Sequence, residues 1–240
     1  MSTADDLVRD RLYESYASQH AGRANTAAAA LIYQRDISPM LPQPSTGPVL
    51  DIGCGQGELV RLLRADGYVA EGVDVSAEQV ALARAAGVAS VRRGDYLAVL
   101  GSQADHFAAV TATDVLEHQA KEEILATFDQ VSKALVTGGV FIARVPNAVS
   151  PFGGHIRYGD FTHETWFTAS SVRQLALATG FSSVTVVACP PVAHGLPSAA
   201  RAVIWKAVSG LCKTALAAET GSLRGHIVTQ NLTFAARKGT

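Results

Sequence analysis

The sequence lacks the features that mark nucleic-acid-binding, secreted and membrane-spanning proteins. Its 20 basic and 21 acidic side chains give a net charge of −1, which provides no basic surface for DNA or RNA. The three cysteines form no CxxC pair, so neither a disulfide framework nor a structural zinc site is indicated. No stretch approaches the about 20 apolar residues that span a bilayer, and the N-terminus has no apolar signal-peptide core. A globular cytoplasmic protein with no transmembrane segment and no nucleic-acid partner is therefore predicted.

Strand and helix patterns alternate along the chain. Strands are predicted at 49–52, 69–74, 89–92, 107–112, 140–145, 182–188 and 226–236. Helices are predicted at 57–66, 77–86, 119–135, 169–179 and 198–217. This alternation predicts an α/β fold that is Rossmann-like and doubly wound, with a mostly parallel seven-stranded sheet and helices on both faces.

The length favours one domain over residues 1–240. We expect an N-terminal helical cap over 1–46, which includes a helix over 5–35. A core over 47–188 follows, and residues 189–240 contribute a helix and the last strand.

The run VLDIGCGQGE at residues 49–58 predicts a strand, a glycine-rich turn and the start of a helix. Its glycines permit positive φ and a close approach of a ligand to the backbone. The spacing is GxGxG, whereas the dinucleotide fingerprint is GxGxxG. Asp51 and Glu58 would repel a diphosphate and would suit a cationic ligand.

The string DIGCGQG resembles the first motif of class I S-adenosylmethionine (SAM)-dependent methyltransferases, and SAM is cationic and has no phosphate. The resemblance covers residues 47–146 well and 160–181 more loosely. It implies that SAM is bound by Asp51, Gly53, Gly55, Asp74, Val75, Asp95, Tyr96 and Asp114. In this set Asp74 would accept hydrogen bonds from the ribose hydroxyls. Asp95 would face the adenine amino group, and Tyr96 would pack on the adenine ring.

Three histidines are candidates for the chemistry. Transfer of a methyl group to a hydroxyl requires the loss of a proton, and histidine is the natural acceptor near neutral pH. His118, His155 and His163 lie where the fold would place an active-site mouth, at the carboxyl ends of strands. They are predicted to be catalytic bases or substrate ligands.

The segment DVLEH at 114–118 resembles one in ubiquinone-biosynthesis O-methyltransferases, where an acid-x-x-Glu-His pattern can hold a divalent cation. That resemblance implies Mg²⁺ on Asp114, Glu117 and His118. The alternative is that Glu117 and His118 only cap the helix that begins there.

The segment 147–168 has no clear periodicity, and a loop of that length is more often functional than idle. Within it, residues 154–166 resemble the D-x-T-H segment of bacterial methyltransferases encoded with sugar and envelope-glycan genes. Saccharide contacts are predicted for Arg157, Tyr158, Asp160, Glu164 and Trp166. The alternative is a loop that merely shields the cofactor.

The amphipathic segment near 201–213 favours core packing or a homodimer interface over contact with a membrane surface. The whole sequence predicts a SAM-dependent O-methyltransferase that acts on a hydroxyl of a sugar or small natural product. The alternatives are a phenol or quinone-precursor O-methyltransferase, a non-catalytic SAM-binding protein, and an NAD-dependent oxidoreductase of the same fold.

Overall fold

The computed structural model describes residue 12 and residues 26–193 and 195–239. The predicted helix over 5–35 therefore lies largely outside the described residues. Its described end forms helix α1 (Thr26–Ile32), which continues into a π-helical turn (Tyr33–Ile37). Tyr33 and Ile37 in that turn are buried in one cluster with residues of the helices that cover the sheet, and the helical cap over 1–46 stays a prediction.

The sheet has seven strands: β1 (Val49–Ile52), β2 (Ala70–Asp74), β3 (Val91–Arg93), β4 (Phe107–Thr113), β5 (Leu135–Pro146), β6 (Phe181–Ala188) and β7 (Asn231–Lys238). Their order is β3-β2-β1-β4-β5-β7-β6, and β7 alone runs in the direction opposite to the other six strands. The predicted mostly parallel, Rossmann-like sheet is confirmed. Because β1, β2, β4 and β5 are parallel, their carboxyl ends meet at one edge of the sheet.

Seven further helices follow α1: α2 (Glu58–Ala65), α3 (Ala77–Ala85), α4 (Tyr96–Gly101), α5 (Lys121–Ala134), α6 (Gly154–Arg157), α7 (Ala169–Ala178) and α8 (Leu196–Thr220). Alternate strand residues face opposite layers. Leu50 packs in a cluster with residues of α5 and α7, while Val49 packs in a second cluster with residues of α2 and α3. Helices therefore cover both faces, as predicted.

Some boundaries differ from the sequence prediction for local reasons. Helix α4 was not predicted, because six residues are too few to display a helical period. Helix α5 begins at Lys121 instead of 119, because Leu116–His118 forms a separate 3₁₀ turn. The last strand begins at Asn231 instead of 226.

Helix α8 confirms the helix predicted over 198–217, but it lies at the surface. Ser198 is its only buried residue, and Leu196, Val203, Ile204 and Leu211 are exposed. The prediction that this helix packs on the core is therefore wrong. The prediction that it forms a homodimer interface is not tested and stays a prediction. In the part of the chain that the structure describes, no helix is both long and apolar enough to cross a bilayer.

We predict that Gly72→Ala lowers the free energy of unfolding by about 1–3 kcal/mol, because overpacking a close contact is destabilising. A Cβ at Gly72 would lie 2.7 Å from the Cys54 sulfur and 2.9 Å from Val60 Cγ2. The measurement is urea unfolding. The control is Gly210→Ala, where a Cβ meets nothing within 4 Å and should raise stability by about 0.5–1 kcal/mol. Equal stability of Gly72→Ala and wild type would contradict the packing described between β2 and the glycine loop.

Candidate functional site

The loop between β1 and α2 requires its glycines. Gly53, Gly55 and Gly57 have φ values of 62°, 52° and 74°, the left-handed region that side chains disfavour. A Cβ at Gly53 would also lie 2.5 Å from Val115 Cγ2, so that side chain already fills the space. The loop therefore packs closely against Val115 at the end of β1, and its role as a cofactor site stays a prediction.

Asp74 ends β2 and holds the glycine loop. Its two carboxylate oxygens accept hydrogen bonds from the Gly55 and Ser76 amides, each at 2.8 Å. Burial raises the pKa of Asp74, and these two bonds oppose that shift. Val75 follows at the surface, 52% exposed. The structure therefore places Asp74 against the loop, where a ribose is predicted to bind.

Asp51 is a buried carboxylate in the same region, 3% exposed. The Thr111 hydroxyl donates to its Oδ1 at 2.7 Å. Burial raises the pKa of Asp51 to about 7, and the negative charge of Asp74 adds to the increase. Two carboxylates with raised pKa values beside one loop make an environment that a cation would stabilise.

Asp95 and Tyr96 lie at the start of α4. Asp95 caps the helix by accepting a hydrogen bond from the Leu97 amide at 2.9 Å. The Tyr96 hydroxyl is within 2.8 Å of Thr127 Oγ1 and also accepts from the side-chain amide of Gln119. Tyr96 thus ties α4 to α5, and its packing on an adenine ring stays a prediction.

Asp114 turns the chain sharply at the end of β4. Its φ is 56°, which is unusual for a residue other than glycine, and its carboxylate lies 3.2 Å from Nη2 of Arg144. This turn directs the following Val115 against Gly53. The cofactor loop and the segment that carries the candidate catalytic residues are therefore in direct contact.

Glu117 and His118 are both buried in the 3₁₀ turn that precedes α5. They do not cap α5, because the Glu123 carboxylate takes that role by accepting from the Ala120 amide at 2.9 Å. The alternative of simple helix capping is therefore wrong. Burial and the charge of Asp114 raise the pKa of Glu117, and its Oε2 has no hydrogen-bond partner among the described residues.

The loop after β5 folds back onto this turn. The Glu117 carbonyl accepts from the Glu164 amide at 2.7 Å and from the Thr165 amide at 3.1 Å. These bonds bring Thr162 and His163 next to His118, although 44 residues of sequence separate Thr162 from it. A contact of that separation is set by the fold and not by local sequence.

A chain of hydrogen bonds runs from Asp160 through Thr162 to His118. The Thr162 hydroxyl donates to Asp160 Oδ1 at 2.6 Å and lies 2.8 Å from His118 Nδ1. A hydroxyl has one proton, so Thr162 must accept from His118. His118 therefore carries its proton on Nδ1 and its lone pair on Nε2. Burial, together with His163, lowers the pKa of His118 to about 4, so the ring is neutral at pH 7.

His163 is oriented in a similar way. Its Nδ1 donates to the Ile156 carbonyl at 3.0 Å, which leaves the lone pair on Nε2. The rings of His118 and His163 lie 4.7 Å apart, and the ligand atoms of Glu117, His118 and His163 are all within 4.8 Å of one another. The cluster contains two members of the predicted metal trio, Glu117 and His118, together with His163 in place of Asp114, and metal binding by these residues stays a prediction.

These groups open into a cavity of about 340 Å³, the catalytic cavity. It is lined by Asp114, Glu117, His118, Arg144, Pro146, His155, Ile156, Gly159, Asp160, His163, Gln230 and Asn231. All three predicted histidines reach it, with His155 exposed at its rim. The sequence analysis missed Arg144, which stands out only as a basic residue within the apolar run of β5.

The predicted saccharide contacts divide into two groups. Of the five, Asp160 lines the catalytic cavity. The Arg157 guanidinium lies over the rings of Tyr158 and Trp166, at 5.6 and 5.9 Å, and Glu164 is exposed. The structure therefore brings only Asp160 to the histidines, and the other four stay predictions as substrate ligands.

Comparison with known proteins gives a family match and several similar folds. A model for the methyltransferase domain matches residues 24–186. A SAM-dependent methyltransferase from Archaeoglobus fulgidus is similar, with 18% identity, a TM-score of 0.70, and coverage of 93% of this chain and 99% of that one. A possible histamine N-methyltransferase from Thermotoga maritima has 15% identity, a TM-score of 0.66 and coverage of 95% and 98%.

Phosphoethanolamine N-methyltransferase 2 from Haemonchus contortus, solved with phosphomonomethylethanolamine and S-adenosylhomocysteine, has 17% identity and a TM-score of 0.62. That similarity covers 100% of this chain and 61% of the other. No curated protein matches the chain. At these identities the solved structures establish the fold alone.

We predict that the ring of His118 does not titrate between pH 8 and about pH 5.5, because its pKa is lowered to about 4 by burial and by His163. The measurement is a pH titration of the histidine ring signals by NMR. The His118 signal is assigned by its absence in His118→Gln. A midpoint near the ordinary value of 6.5 would contradict the buried neutral ring.

Proposed function

The chain belongs to the methyltransferase-domain family, and from this premise we propose that it transfers the methyl group of SAM to a hydroxyl group of a small acceptor. The observation that supports the proposal is the neutral His118. Its lone pair is on Nε2, and the cavity that it lines also includes Asp114 and Glu117, which flank the Val115 that packs against Gly53 of the glycine loop. The carboxylates of Asp51 and Asp74 would hold the cationic cofactor on the other side of Val115.

Methyl transfer is an in-line displacement at an activated carbon, so the protein mainly aligns the nucleophile, the carbon and the sulfur. The hydroxyl proton becomes far more acidic as the new O–C bond forms. A base with a low pKa can therefore accept it at that stage, provided that it is unprotonated beforehand. A pKa of about 4 keeps His118 unprotonated at neutral pH.

His118 fits the role of proton acceptor better than the other two candidates. Its Nδ1 bonds to the Thr162 hydroxyl, which in turn bonds to the Asp160 carboxylate. When the ring accepts a proton, the negative charge of Asp160 therefore offsets the new positive charge through one hydroxyl group. His163 instead donates to a backbone carbonyl, and His155 is exposed and bonds to the Phe152 carbonyl. We therefore assign proton acceptance to His118 and acceptor binding to His155 and His163.

The cavity lining favours a polyol over a simple phenol. Asp160, Gln230 and Asn231 offer hydrogen-bonding groups in several directions, and Pro146 and Ile156 supply little apolar surface. A sugar or glycan hydroxyl remains the proposed acceptor. The phenol alternative would need a planar apolar wall. Amines also belong among the compounds tested, since N-methyltransferases are among the similar structures.

Magnesium does not fit the groups that the structure brings together. Mg²⁺ prefers oxygen ligands in near-octahedral geometry, whereas the cluster offers two imidazole nitrogens and one carboxylate. Asp114, which would add a second carboxylate, forms an ion pair with Arg144. We therefore route no step of the reaction through Mg²⁺.

We predict that His118→Gln lowers kcat for methyl transfer by about 10²–10⁴-fold, the usual contribution of a positioned base. Sugars, phenols and amines are first screened as acceptors with labelled SAM, with and without Mg²⁺ and a chelator. His106→Gln is the matched control, because His106 is exposed and lies at the opposite end of β4.

The affinity for SAM, measured by calorimetry, should be unchanged in both variants. Full turnover by His118→Gln would contradict the assignment of the base. Activity that disappears with the chelator and returns with Mg²⁺ would favour the metal-assisted phenol alternative. SAM binding with no turnover on any acceptor would favour a non-catalytic SAM-binding protein.

A further inference from the structure

A second cavity, of about 380 Å³, lies beside the catalytic cavity and takes no part in the reaction proposed above. It is lined by Ala28, Ile32, Arg35, Asp36, Arg144, Cys189, Pro190, Pro191, Val192, Arg201, Trp205, Gln230 and Asn231. We call it the distal cavity. Arg144, Gln230 and Asn231 line both cavities, so the two cavities share part of one wall.

The distal cavity has an excess of positive charge, because its lining contains three arginines and one carboxylate. Both oxygens of that carboxylate, Asp36, accept hydrogen bonds from Arg35. Nε and Nη2 of Arg35 donate to the two oxygens of Asp36, each at 2.6 Å, and Nη1 donates to the Pro190 carbonyl at 2.6 Å. The pKa of Arg144 is raised mainly by the charge of Asp114, and Asp36, with both oxygens bonded to Arg35, contributes least to that increase.

Arg144 lies where the two cavities meet. Its Nη2 forms an ion pair with Asp114 at 3.2 Å, and in the amide orientation that satisfies both partners Asn231 accepts from its Nη2 at 3.0 Å and from its Nε at 3.3 Å. A guanidinium has five N–H donors, so these contacts leave others for a ligand. Arg144 can thus bind an anion on the distal side while it holds Asp114 on the catalytic side.

Arg201 contributes the third positive charge, from the first turns of α8. Its side chain is exposed, and it makes no hydrogen bond or ion pair with any residue that the structure describes. Trp205 lies four residues later on the same helix face and packs edge-on against Phe152, with ring centroids 6.2 Å apart. On one wall of the distal cavity, the Trp205 ring therefore lies near the Arg201 guanidinium, which bonds to none of the described residues.

The two cavities differ in charge. The catalytic cavity contains the carboxyl groups of Asp114, Glu117 and Asp160, against the single cation of Arg144. A ligand that has a hydroxyl at one end and an anion at the other would be repelled by these acids in the reversed orientation. It would therefore place its hydroxyl near His118 and its anionic end near Arg201.

We propose that the distal cavity binds a phosphate or pyrophosphate group of the methyl acceptor, through Arg201 and Arg144. Guanidinium groups from two separate elements suit an anion with several oxygens, because each arginine can donate to a different oxygen. This inference rests on the proposed function, because it names the chemical class of the acceptor. The acceptor is then a hydroxyl compound that carries a phosphoryl group.

The test is calorimetric titration of the full chain with inorganic pyrophosphate, repeated with acetate. We expect pyrophosphate to bind to wild type and to bind at least about tenfold more weakly to Arg201→Gln, which loses charge-assisted hydrogen bonds. Arg173→Gln is the matched control, an exposed arginine on α7 outside both cavities, and it should bind like wild type. Binding of pyrophosphate should also shift the Trp205 indole N–H signal in NMR spectra.

The inference is overturned if pyrophosphate fails to bind at millimolar concentration, or if Arg201→Gln and Arg173→Gln bind it equally. Acetate that binds as tightly as pyrophosphate would overturn the phosphoryl class. SAM affinity is measured in the same variants and should not change. The two proposals can fail separately. If Arg201→Gln loses pyrophosphate binding but wild type methylates none of the acceptors, the anion site is supported and the proposed function is contradicted.

Discussion

The carboxylate of Asp74 is the interaction on which the cofactor side of this protein depends. It accepts from the Gly55 amide and from the Ser76 amide, so one side chain fixes both the glycine loop and the start of α3 at the end of β2. The pairing of β1 with β2 places that carboxylate beside the loop, with Asp51 opposite Gly72. A ribose bound there would have to share Asp74 with Gly55, which couples cofactor binding to the position of the loop.

The catalytic side is attached to the same loop by packing. Val115 occupies the space that a side chain on Gly53 would need, and Glu117 and His118 follow it within three residues. The left-handed turn at Asp114 makes this contact possible. This arrangement accounts for the closeness of a cofactor loop and a histidine cluster that belong to different strands.

The sequence analysis predicted the parts of the site that are coded locally. The glycine spacing, the acid at the end of β2 and the alternation of strands and helices are local patterns, and the sheet confirms the fold that they indicate. The bonding of Thr162 to His118 and the presence of His163 in the cluster with Glu117 and His118 depend on how the loop after β5 folds back. No pattern in the sequence records that path. Arg201 and Arg144 likewise line one cavity only because α8 and β5 both border it.

The central claim is that SAM binds where the Asp74 carboxylate bonds to the glycine loop. Calorimetric titration with SAM and with NAD tests this claim. Wild type should bind SAM and not NAD. Asp74→Asn should bind SAM about tenfold or more weakly, because it loses charge-assisted hydrogen bonds. Glu71→Gln, on the same strand, should bind SAM like wild type. Binding of NAD without SAM, or an unchanged SAM affinity in Asp74→Asn, would contradict the account.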